Sequence, residues 1–172
     1  GLLEEALTLP NVKQVSVGSG IRYDVFMSGK DSNKEMEQLV KHFVSGQLKI
    51  APEHTDATVL RAMRKGGTFP LGQFVKAFNA TCKRLGKEYY IVPYLMTCHP
   101  GSTNASVYKM RSDIEKLFGY VPYQCQAFIP LPMTLSSIQY YTGSDPLTGE
   151  KFFVEKGAQA RRKQHNILLK KI

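Results

Sequence analysis

Met36-Glu37-Gln38-Leu39-Val40-Lys41-His42-Phe43-Val44-Ser45-Gly46-Gln47-Leu48-Lys49-Ile50-Ala51-Pro52-Glu53-His54 changes its hydrophobic period partway along. Met36, Leu39, Val40, Phe43 and Val44 recur at helical spacing, which places them on one face of a helix over 34–45. Ser32 or Asn33 can cap its start, and Gly46 its end. The β-prone run Gln47 to Ala51 follows directly, and a shorter helix from Thr55 to Lys65, with Val59, Leu60 and Met63 inward, ends at Gly66-Gly67.

The same alternation extends both ways. Two further helical stripes run through Leu71, Phe74, Val75, Phe78, Cys82 and Leu85, stopping near Gly86, and through Val107, Met110, Ile114, Leu117 and Phe118, stopping at Gly119. Short β-prone runs stand at Val12 to Val17, Gln47 to Ala51, Tyr89 to Met96 and Gln124 to Ile129. Their starts lie 35, 42 and 35 residues apart, the spacing of successive βα units with parallel strands. The fold class expected is therefore α/β, with about four parallel βα units in an open sheet. Beyond Pro132, Ser137 to Thr142 and Lys151 to Val154 read as a hairpin around Asp145-Pro146-Leu147-Thr148-Gly149, followed by a basic helix from about Ala158 to the end. At the other end, Leu2, Leu3, Ala6 and Leu7 make a helical stripe with no cap before it, the pattern of a chain that begins inside a helix of something larger.

With 172 residues and 42% hydrophobic content, the chain can bury a real core. It contains no apolar run of the roughly 18 to 20 residues that a membrane span needs, so the expectation is a cytoplasmic protein with no membrane partner. Cys82, Cys98 and Cys125 lie 16 and 27 residues apart, without the paired spacing of a zinc or disulfide framework. Reduced thiols are expected. The net charge of +9 is spread along the helices apart from Arg161-Arg162-Lys163 and Lys170-Lys171. It leaves a basic nucleic-acid-binding α/β module, contacting RNA through the last helix, as an alternative reading.

In parallel α/β folds, functional groups gather at the C-terminal ends of strands. That rule selects Gly18 to Asp24, Pro52-Glu53-His54, Cys98-His99-Pro100-Gly101-Ser102 and Pro130-Leu131-Pro132-Met133. Arg22 can grip a ligand carboxylate through its planar fork, or pair with Glu53 or another acid. Glu53 can accept hydrogen bonds from a ligand's amino or ribose groups, or cap the helix near Thr55. His54, Glu53 and His99 together suggest a metal-dependent hydrolase, although two histidines without a firm third ligand are more often loop residues. Gly101 lets backbone approach a ligand closely, beside a helix N-terminus near Thr103. Cys98 has no cation nearby in sequence to make it reactive.

Gly18-Ser19-Gly20-Ile21-Arg22-Tyr23-Asp24, Val44 to His54, His99-Pro100-Gly101-Ser102 and Tyr140-Tyr141-Thr142-Gly143 together resemble the YgiQ-like family of radical S-adenosylmethionine (SAM) proteins, from the third barrel strand onward. The second of these words is the most specific, and the resemblance covers nearly the whole chain. It implies that 1–135 is the C-terminal half of a radical SAM (β/α) barrel and 136–172 a hairpin and basic helical extension. It also implies a parent enzyme that binds SAM and a 4Fe-4S cluster through Cys-x3-Cys-x2-Cys and cleaves SAM to a 5'-deoxyadenosyl radical. The three cysteines here do not form that motif. The chain alone is expected to be inactive and to retain neither cofactor. The resemblance assigns Arg22, Glu53, His99, Gly101 and Pro130 to the distal wall of the SAM pocket and leaves no catalytic or metal residue in this chain. The expected partner is the N-terminal half of the same polypeptide. An exposed sheet edge further predicts self-association.

Overall fold

A computed structural model describes residues 1–65, 70–122 and 125–169. In chain order its elements are α1 Leu2–Leu7, α2 Tyr23–Met27, α3 Ser32–Gln38 continuing as a π turn over Leu39–Phe43, β1 Gln47–Glu53, α4 Ala57–Ala62, α5 Leu71–Arg84, β2 Tyr90–Thr97, α6 Asn104–Phe118, β3 Gln126–Ala127, α7 Leu135–Thr142 and α8 Ala158–Leu169. The strands form an open parallel sheet in the order β1-β2-β3. β2 and β3 pair with Met96 opposite Gln126 and Thr97 opposite Ala127. The expected α/β class is the observed one. Among the described residues the sheet has three strands instead of about four.

The run Val12 to Val17 forms no strand. Among the described residues no neighbouring strand pairs with it: Val17 N–H donates to the Phe43 carbonyl at 2.9 Å, and parallel pairing begins only at an isolated bridge between Ile21 and Ile50. The first arm of the expected hairpin is also different. Ser137 to Thr142 belongs to α7, because Thr134 accepts the Ser137 N–H at its start and Gly143, at φ +69°, closes its end. These caps override the β-prone content of Ile138, Tyr140 and Tyr141. The turn after α7 does form, closed by an antiparallel bridge between Ser144 and Lys151. The expected helix end at Gly66-Gly67, the strand start at Gln124 and the basic pair Lys170-Lys171 lie outside the described residues.

Two compact units divide the chain. The first comprises Gly1–Ala51 and Gly67–Pro93. Its core is the stripe read from sequence, since Met36, Leu39, Val40, Phe43 and Val44 are all buried. Phe74 and Phe78 of α5 are fully buried too, with Phe74 against Tyr23 and Phe26 at ring distances of 5.8 and 6.3 Å. Each such side chain contributes roughly 1.5–3 kcal/mol on leaving water.

The second unit comprises Pro52–Gly66 and Tyr94–Ile172. Here α6 packs on α8, burying Val107, Met110 and Ile114 on one helix and Ile167 and Leu168 on the other. The basic helix is thus built into this unit. Gln164 of α8 fastens it to the end of β2: its amide oxygen accepts from Cys98 N–H at 2.7 Å and Ser102 Oγ at 2.9 Å, and its nitrogen donates to the Ser102 carbonyl at 3.1 Å. Among the described residues, no helix is long and apolar enough to cross a membrane.

Candidate functional site

Strand ends in the second unit carry unusual backbone. Glu53 ends β1 at φ +65°, Cys98 follows β2 at φ +62°, and Met133, in the segment after β3, lies at φ +64°. A side chain in this left-handed region costs roughly 1–2 kcal/mol, and such residues cluster where a fold positions a functional group.

Glu53 has the more telling surroundings. Its Oε1 accepts from Lys65 Nζ at 3.1 Å, whereas its Oε2 is buried and has no hydrogen-bond partner among the described residues. Both side chains are largely sequestered, at 15% exposure for Glu53 and 18% for Lys65. The capping alternative for Glu53 falls away, because Asp56 caps α4 by accepting from Thr58 N–H at 2.9 Å and Val59 N–H at 3.2 Å.

Lys65 owes its aim to how α4 terminates. Arg64 is left-handed at φ +55°, and Lys65 N–H reaches back to the Leu60 carbonyl at 2.8 Å, the six-residue closure of a Schellman turn. Glycine usually occupies that left-handed position. Here an ion pair compensates: one terminal nitrogen of Arg64 donates to both carboxylate oxygens of Asp145, at 2.9 and 2.8 Å. Asp145 is buried and also accepts from Leu147 N–H at 2.8 Å, Thr148 N–H at 3.2 Å and Gln139 Nε2 at 3.1 Å. A chain of fixed contacts therefore runs from the Asp145 turn through Arg64 to Lys65 and Glu53.

The two histidines are buried and neutral. His54 Nδ1 accepts the Asp56 N–H at 3.0 Å, which puts its proton on Nε2, and that nitrogen has no hydrogen-bond partner among the described residues. His99 pairs Nδ1 with the Pro100 carbonyl at 3.0 Å and Nε2 with Ser136 Oγ at 2.8 Å, so the carbonyl fixes the proton on Nδ1 and Ser136 donates. Burial pushes the pKa of each down to about 4. Both nitrogens of His99 are spent inside the fold, and its ring meets Phe128 edge-on at 4.8 Å. His99 thus offers a ligand a wall and no hydrogen bond.

Arg22 belongs to the first unit, where Nε and a terminal nitrogen hold Asp24 at 2.8 and 2.5 Å. Its acid partner is therefore Asp24. Gly101, at φ +87°, is buried against α4, where an added Cβ would lie 3.5 Å from Thr58 Cγ2. Its close backbone approach is to that helix. Pro130 is half-buried, and the Leu131 carbonyl beyond it accepts from Thr134 Oγ1 at 3.0 Å and from Ser137 Oγ. The structure brings Glu53, His99, Gly101 and Pro130 into one unit.

No group of three His, Cys, Asp or Glu able to hold a metal occurs among the described residues, so His54, Glu53 and His99 do not form a hydrolase metal centre there. The cysteines are free. Burial pushes the Cys82 and Cys98 thiols up, and Cys125 up to about 12. Cys125 Sγ lies 3.2 Å from His165 Nδ1, a pairing that nothing in the spacing announced. Lys65 and Ser136 also escaped the sequence reading. The only signal for Lys65 was its place just past a helix end, and for Ser136 there was none.

Compared with known proteins, the chain is 41% identical over 167 residues to a UPF0313 protein of Clostridium botulinum, covering 97% of this chain and 26% of that protein. UPF0313 proteins of Thermotoga neapolitana and Thermotoga maritima are each 42% identical over 171 residues, covering 99% of this chain and 30% of theirs. The chain thus spans less than a third of the length of these relatives. No family model matches it, and no solved structure does.

Proposed function

We propose, from the premise that the chain belongs to the UPF0313 family, the YgiQ-like family, that it forms one wall of a SAM pocket in a longer radical SAM enzyme. Glu53 carries this reading. A carboxylate oxygen that is buried and unpartnered, at a parallel strand's C-terminal end, held there by a left-handed backbone, fits a ligand that donates a hydrogen bond.

The residues present suit a nucleoside-bearing ligand better than a cluster. Glu53 Oε2 supplies an acceptor, neutral His99 with Phe128 an apolar wall, and Pro130 to Met133 an apolar rim in which Leu131 and Met133 are exposed. Three scattered cysteines with raised pKa values do not fit a 4Fe-4S cluster, which would have to be held by other parts of the polypeptide. When bound, SAM would supply the radical chemistry that the family resemblance implies. This chain's share is to bind and orient: Glu53 accepts from the ligand, Lys65 balances the carboxylate's charge, and His54 and His99 remain uncharged beside it. The reading carries a cytoplasmic setting, in keeping with the free thiols. It also makes the remaining length of the polypeptide the chain's obligatory partner.

The test is equilibrium binding of SAM to the full-length polypeptide carrying Glu53→Gln. Lys65 holds the amide oxygen, so the exchange places a donor where the free acceptor stood. Affinity is expected to fall about tenfold or more, the size of one lost hydrogen bond to a charged group. Unchanged affinity would overturn the assignment.

A further inference from the structure

We propose that Lys65 is a specificity-determining residue: by compensating the Glu53 charge, it makes this site select an uncharged hydrogen-bond donor, such as a sugar hydroxyl, over an ammonium group. The inference rests on the reading of Glu53 as a ligand contact and adds to it the chemistry of the group accepted.

Three observations carry it. Lys65 and Glu53 are both sequestered and 3.1 Å apart, so the pair enters the site already close to neutral. Only one carboxylate oxygen is left to accept, since Oε1 is taken and Oε2 has no partner. Lys65 is also not a loose surface cation: the Arg64 turn aims it, and the Asp145 carboxylate clamps that turn from the loop after α7. A second cation entering beside Oε2 would meet the Lys65 ammonium with little water to screen it. A hydroxyl meets no such opposition and still satisfies the orphaned acceptor.

The measurement is the ratio of affinities of the full-length polypeptide for two probes, adenosine and protonated 3'-amino-3'-deoxyadenosine, by titration calorimetry. The unmodified protein is expected to favour adenosine. Lys65→Met should move the ratio about tenfold toward the amine, whereas Lys65→Arg, which keeps the charge, should leave it in place. Asp145→Asn, which loosens the Arg64 clamp without touching Lys65, should move it in the same direction by less. This variant also supplies the reading if Lys65→Met does not fold. Adenosine binding with a ratio unmoved by Lys65→Met and Asp145→Asn would overturn the specificity role alone. No adenosine binding in any variant would overturn the ligand reading of Glu53, and this inference with it.

Discussion

The ends of β1 and β2 are alike in backbone and opposite in satisfaction. Each carries a left-handed non-glycine residue followed by a buried neutral histidine: Glu53 with His54, and Cys98 with His99. At the end of β2 the Cys98 N–H is answered by Gln164, and both ring nitrogens of His99 by Pro100 and Ser136. At the end of β1, Glu53 Oε2 and His54 Nε2 have no hydrogen-bond partner among the described residues. The difference teaches that strain alone does not mark a binding site. At β2 it serves to anchor α8, and only at β1 does it leave chemistry over.

Acid should affect both ends together, and this is the largest expected effect. The pKa of each histidine is about 4 in the folded protein against an ordinary 6.5, so the unfolded chain binds more protons between those values. Their contribution is whole above pH 6.5 and is lost as pH falls toward 4, by about 3 kcal/mol for each histidine. Denaturant unfolding followed from pH 7 to pH 4 checks this, and a flat profile would show that the imidazoles charge without cost. Breaking the satisfied end comes next. Gln164→Leu strands the Cys98 N–H and the Ser102 hydroxyl and should lower stability by about 2 kcal/mol, read as a shift in denaturation midpoint. The smallest effect has the opposite sign. Glu53→Gly combined with Lys65→Met relieves the left-handed strain and removes the orphaned acceptor together with the sequestered ammonium it pairs, so stability should hold or rise by about 1 kcal/mol while ligand affinity is lost. A loss as large as that of Gln164→Leu would mean that the β1 end is structural too.

Much of the fold was legible because its signals are local. The stripe of Met36, Leu39, Val40, Phe43 and Val44 is buried as its spacing requires, and Gly119 ends α6 in the left-handed conformation. The misread segments, Val12 to Val17 and Ser137 to Thr142, have β-prone composition, but a strand needs a neighbour that composition does not supply. For α7 the correcting signal was present in Thr134 and Gly143, the capping residues on either side of it. The strand-end rule led to Glu53. Lys65 remained invisible because its role depends on Arg64 accepting a conformation usually left to glycine, which in turn depends on Asp145, 81 residues away. Contacts across such distances leave no periodicity to read.

Arg161 changes how much of the last helix's charge a polyanion would meet. Its guanidinium donates to the Phe128 and Glu155 carbonyls and lies 5.5 Å from the centre of the Tyr140 ring, so it is committed to holding α8 in place. Of the run Arg161-Arg162-Lys163, only the last two side chains are exposed. A nucleic acid strand laid on that run would release about two counterions instead of three, giving a salt dependence with a slope near −2 at most. Neutralising Arg161 would weaken such binding by loosening the helix, an effect that added salt would not reproduce.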